Sequence, residues 1–125
     1  MDGHQLVIKL QIAEKYFTSE QYQTLVSLAK NKFNAGNFQA CKEMVAKFPT
    51  EESLLNDLIE KLEGKSIYRT LEKIHRGDSI GPLVKLKGIS SLVTHTVIEM
   101  EKGNAEFGLL LPSLLEKAQA LLFEV

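Results

Sequence analysis

The sequence predicts an all-α protein of seven or eight short helices, packed as irregular antiparallel hairpins in a helical-repeat-like bundle. Three observations carry that expectation. Apolar residues recur at three- and four-residue intervals through most of the chain, the spacing of one helix face. Glycine followed by a capping residue interrupts the recurrence at Gly36-Asn37, Gly77-Asp78 and Gly103-Asn104, a helix stop before a side chain able to start the next helix. Ile8, Leu10 and Ile12 alternate with Lys9 and Gln11 as in a half-buried strand, but with no partner strand evident a helix is expected there too. A chain of 125 residues is ordinarily one domain, here residues 1–125, and is long enough to bury a core.

The elements follow in order. Leu6, Leu10, Ala13 and Phe17 fit one helix face, and Thr18 with Gln21 makes a capping box for the next helix. Leu25, Leu28, Ala29 and Phe33 give that helix its stripe; Gly36-Asn37 turns the chain, and Phe38, Cys41, Val45 and Phe48 face back. Phe38 is expected in the core, where its deletion would cost about 3–5 kcal/mol. Thr50 caps a helix with Glu51 and Glu52 in its first turn, the sign a helix N-terminus prefers, and Leu55, Leu58, Ile59 and Leu62 inward. Gly64 ends it. Ser66 opens the next, closing on Lys73, His75 and Arg76 at the end that favours cations. Pro82 begins a short helix that Gly88 stops, and Ser90 or Ser91 begins another bearing Leu92, Val93, Thr96, Val97 and Met100. Leu110, Leu111, Leu114, Leu115, Ala118, Leu121 and Leu122 form the strongest stripe, begun or interrupted at Pro112. The glycine junctions lie 41 and 26 residues apart, so no regular repeat is expected.

Within residues 22–49, Leu25, Leu28-Ala29, Gly36-Asn37-Phe38 and the small Cys41 resemble a tetratricopeptide-type helical hairpin. Lys32 stands where that family usually has an aromatic, and Pro49 arrives about one turn early. The resemblance implies a hairpin built on Phe33, Gly36, Asn37, Phe38 and Cys41. It also implies the family's usual work, binding other proteins.

Composition narrows the classes. With 15 Lys/Arg against 16 Asp/Glu the chain carries a formal charge of −1, which offers no global attraction to nucleic acid or membrane. The charge is patterned, however: net −2 over residues 1–60, +4 over 61–87 and −3 over 88–125. One cysteine excludes an internal disulfide and suits a reducing compartment. No apolar run approaches the ~20 residues of a membrane helix, and the opening MDGHQLVIKLQ does not read as a secretory signal. A cytoplasmic or nuclear protein without a membrane partner is expected.

Candidate chemistry is sparse. Leu83, Leu86, Gly88-Ile89, Thr94 and Val97-Ile98 resemble a helix-hairpin-helix motif, which implies phosphate contact by backbone N–H groups at the Gly88 turn. Lys73, Arg76, Lys85 and Lys87 are the cations that would assist it, and a helix from 61 to 76 would align Lys61, Lys65, Arg69 and Lys73 in a stripe. Arg69 and His75 resemble the arginine–histidine pair of helical ribonucleases with the higher-eukaryote-and-prokaryote nucleotide-binding fold. That resemblance implies a proton-shuttling histidine and a phosphate-holding arginine. His4, His75, His95 and Cys41 are too scattered for metal ligation, no cofactor-binding glycine pattern occurs, and Cys41 reads as a small core residue. The expected function is non-catalytic binding of another protein, or of a second copy, as an adaptor, chaperone or assembly subunit. A nucleic-acid-binding domain is the alternative, and a ribonuclease through Arg69 and His75 a third.

Overall fold

A computed structural model describes residues 2–124. Among them lie α1 (Gly3–Tyr16), α2 (Glu20–Asn34), α3 (Phe38–Val45), α4 (Glu51–Lys61), α5 (Tyr68–Arg76), α6 (Pro82–Glu101), a 3-10 helix (Ala105–Leu110) and α7 (Leu111–Leu122), with no strand. The period-two stretch is helical. Asp2 starts α1 with a reciprocal box: its carboxylate accepts from the Gln5 N–H at 2.8 Å, and its own N–H donates to the Gln5 side chain at 3.1 Å. Thr50 and Ser53 make the same arrangement at α4. Such boxes satisfy two N–H groups that the helix itself leaves unpaired.

The three glycine junctions share one geometry. The residue after the glycine donates its N–H five residues back, Asn37 to Lys32 at 2.9 Å, Asp78 to Lys73 at 2.9 Å and Asn104 to Glu99 at 3.0 Å. This closure requires a left-handed residue at the glycine, φ +79° at Gly36, which a Cβ would oppose. Only Asn37 then caps the following element with its side chain, accepting from the Ala40 N–H. Asp78 pairs instead with Arg76, and Asn104 makes no side-chain cap.

Two groups of helices divide the core. In α1–α3, Leu6, Leu10, Ala29, Cys41 and Val45 pack together, with Ala13, Phe17 and Val26 beside them. In the remainder, Leu54, Leu58, Ile59, Leu62, Leu71, Ile89, Leu92, Phe107, Leu110 and Leu114 form one continuous cluster. The 3-10 helix joins the two: Phe107 and Leu110 belong to the larger cluster, while Leu109 reaches the cluster of Phe17 and Val26.

Several expectations are corrected. Gly88 is not a turn; it lies buried within the 20-residue α6, so residues 83–98 hold no helix-hairpin-helix turn. A Cβ at Gly88 would sit 2.3 Å from the Ile74 side chain, so the glycine lets α5 press against α6 rather than ending a helix. As expected from Gly64, no helix runs over 61–76: α4 ends at Lys61 and α5 begins at Tyr68, so the stripe such a helix would align does not form. Phe38 is 47% exposed, because the first residue of α3 projects back past the helix start, where Phe33 meets its ring edge-on at 5.3 Å. Thr18 and Gln21 form no capping box; Ser19 is the N-cap residue of α2, and its side chain makes no capping bond. Val26 is buried where Leu28 is exposed, Leu54 is buried beside a half-buried Leu55, and α6 turns Ile89, Leu92, Thr96 and Glu99 inward while Val97 and Met100 face out. Of the C-terminal stripe, Leu110 and Leu114 are buried, but Leu115 and Leu122 are exposed. No helix among the described residues is long and apolar enough to cross a membrane.

Candidate binding cleft

The polar groups that sequence periodicity missed gather where the two helix groups meet. Glu106, 1% exposed, lies on the 3-10 helix, which turns every third residue to one side and so carries a charged residue inward beside Phe107. Its carboxylate accepts from the Ser19 hydroxyl, at 3.0 Å to Oε2 and 3.2 Å to Oε1, and from the Gln21 amide at 3.4 Å. This is why Ser19 does not cap its own helix. An exposed helix N-terminus has water for a partner, whereas a buried carboxylate has only the donors that the fold supplies.

Glu106 contributes to a cleft of about 470 Å³. Gln21 and Tyr22 of α2 form one wall, Leu54, Asp57, Glu60 and Lys61 of α4 another, and Asn104 and Phe107 stand beside Glu106. Burial raises the Tyr22 hydroxyl above its ordinary value of 10.0, and the charges of Glu106 and Asp57 add to the effect, so the phenol stays a protonated donor. Lys61 is the one cation on the lining, and it is engaged elsewhere: its ammonium donates to the buried Glu99 and lies 5.2 Å from the Phe107 ring centroid. Lys102 holds the other Glu99 oxygen at 3.2 Å. Burial would push the Glu99 carboxyl up, but the two lysines outweigh it and hold the group below its ordinary 4.5. Among the described residues Glu106 makes no ion pair, so the cleft carries three carboxylates and no cation free to answer them.

On the far side of Lys61 is a smaller depression of about 230 Å³, bearing Lys65, Lys102 and His95. Its anion is already in place, in Glu99. Among the described residues no three His, Cys, Asp or Glu side chains come together as a metal's ligands would.

The predicted site residues are dispersed. Arg69, Lys73 and Arg76 fall at i, i+4 and i+7 on the exposed face of α5, a shorter stripe than expected, and Arg76 is tied to Asp78 at 2.9 Å. Lys85 and Lys87 stand on α6, and Gly88 beside them is buried against Ile74. Arg69 and His75 are six residues apart on α5, about 9 Å along the axis and about 120° around it, so they do not converge on one phosphate. Phe33, Gly36, Asn37, Phe38 and Cys41 shape the α2–α3 turn. Cys41 is fully buried, and burial pushes its thiol above 9.0, the opposite of an activated nucleophile. The sequence held one trace of the cleft: Glu106 is the lone charge in the otherwise apolar run from Ala105 to Leu111.

No protein-family model, no curated protein and no solved structure matches this chain.

Proposed function

We propose that this protein is a non-catalytic interaction module that receives a segment of another protein in the cleft between its two helix groups. The observation that carries the reading is the cleft's acidic lining, the exposed Asp57 and Glu60 beside the buried Glu106, whose carboxylate has neutral donors and no ion pair among the described residues. A group of that kind is a poor contributor to stability, since burying a charge without a partner costs several kcal/mol. The exposed Asp57 and Glu60 are the carboxylates of this cleft that a cationic segment of a partner can reach. The cleft's volume lies within the usual range of small binding sites, about 300–1,000 Å³. Capture of the tagged protein from its native cell, with and without nuclease, tests the reading. A partner protein should be retained after nuclease treatment and lost from the Asp57→Arg variant, whose substitution lies at an exposed position of the rim. A partner indifferent to Asp57→Arg would place the interaction elsewhere.

A second reading, nucleic-acid binding, is favoured by the alignment of Arg69, Lys73 and Arg76 on one face of α5. It predicts saturable binding whose logarithm falls with log salt by about 0.7–0.9 per phosphate, abolished by reversing all three charges. The acidic segments on both sides of the basic centre, net −2 over residues 1–60 and −3 over 88–125, oppose such a ligand, and no saturable binding at low salt is the expected outcome.

A further inference from the structure

We propose that α6 pairs with the α6 of a second copy of this chain, the two helices running antiparallel about a two-fold axis at Thr94. The surface is separate from the cleft, whose lining includes no residue of α6. Leu83, Lys87, Ser90, Thr94, Val97 and Glu101 recur at alternating intervals of four and three, the spacing of a seam between two helices, and all six are exposed. Over the ~20 Å of helix between Lys87 and Glu101, the exposed residues are Ser90, Thr94, Val97, Ile98 and Met100, none of them charged. A helix face turned only to water ordinarily carries charge. The Thr94 hydroxyl donates to the Ser90 carbonyl at 3.0 Å, so a second helix can cover it without stranding a donor.

The ends of the seam select a second copy as the occupant. Lys87 and Glu101 lie two heptads apart with Thr94 midway, and among the described residues neither has an ion-pair partner. A two-fold axis at Thr94 brings Lys87 of each copy to Glu101 of the other, so four exposed charges are matched at once. The same operation sets the small Ser90 of one copy against the branched Ile98 of the other, large facing small, which lets the helices approach along their length. Parallel pairing would instead set like charge against like. One helix pair is a small interface, below the roughly 1,200 Å² of stable complexes, so pairing is expected only at about 0.1 mM protein and above.

The test follows the full chain by sedimentation equilibrium from about 10 µM to about 1 mM, where the mass should rise toward that of two chains. Thr94→Arg, which sets a cation of each copy on the axis, should abolish the rise. Lys87→Glu alone and Glu101→Lys alone each turn two attractions into two repulsions, and each should weaken pairing by about tenfold. The double variant carrying both changes exchanges the charges and restores both contacts, so it should pair within about twofold of the parent chain. All three positions are exposed, and the variants should melt with the parent chain. A chain that stays single throughout the range, pairing indifferent to Thr94→Arg, or a double variant as weak as the single ones would overturn the assignment.

Discussion

The two helix groups solve burial differently. In α1–α3 the interior is wholly apolar: Leu6, Ala13, Ala29 and Cys41 are all 0% exposed, and the rings of Phe17, Tyr22 and Phe48 close the side toward the rest of the chain at centroid distances of 5.6–5.8 Å. From α4 onward a larger apolar cluster tolerates Thr96, Glu99 and Glu106 at 3% exposure or less. Glu99 is answered by two lysines and Glu106 by neutral donors only. The contrast separates two uses of a buried carboxylate. Glu99 ties α4 to α6 through Lys61, whereas Glu106 hydrogen-bonds across the boundary between the groups and opens onto a cleft. Stability alone accounts for the first kind, since its charge is matched within the chain, and the second is where recognition is expected.

The comparison would be broken most severely by core truncation. Leu6→Ala in the first group and Leu58→Ala in the second each empty a fully enclosed site and should each cost about 2–5 kcal/mol. Because Leu109 and the Glu106 hydrogen bonds join the groups, either change should move a single melting transition. Two separated transitions in calorimetry would show the groups to be independent, and the cleft between them would lose its fixed shape.

Acid should reach the second group through Glu99. Its folded-state pKa is depressed, so its contribution to stability is complete above the ordinary value of 4.5 and is lost as pH falls through the lower folded value. Urea midpoints measured from pH 6 downward should fall in that acidic window, and Glu99→Gln should flatten this part of the curve. An unaltered curve in the variant would mean that Lys61 and Lys102 do not stabilise the ionised form.

The first group's turn gives a smaller effect. Phe38→Ala should cost about 1 kcal/mol or less, the worth of an edge-on aromatic contact at a half-exposed site, measured as a shift in urea midpoint. A loss of about 3 kcal/mol or more would put Phe38 in the core, where helical spacing had predicted it. Smallest of all is Thr96→Val. The Thr96 hydroxyl is buried without a hydrogen-bond partner, so replacing it with a methyl of similar shape should be neutral or stabilising by up to about 1 kcal/mol. A clear loss of stability would reveal a partner for that hydroxyl.

The sequence by itself determined the class of structure, several of the helix starts and stops, and much of the core. Periodicity of 3.6, Gly36, Gly77 and Gly103 as stops, Thr50 and Asn37 as caps and Pro82 as a starter act over a few residues each, through backbone hydrogen bonds and allowed dihedral angles. Those forces do not depend on what lies across the fold, so they can be read along the chain. Tertiary structure decided everything that required a second element. Gly88 signals a stop on local grounds, yet the close approach of Ile74 makes it the place where α5 meets α6. Phe38 has the spacing of a core residue, but no element covers the start of α3. Glu106 stands out in the sequence only as a lone charge in an apolar run, and its burial depends on Ser19 and Gln21, 87 and 85 residues away, coming within reach. A side chain's partner across such a separation leaves no periodic trace, because the fold sets the distance between them and the sequence spacing does not.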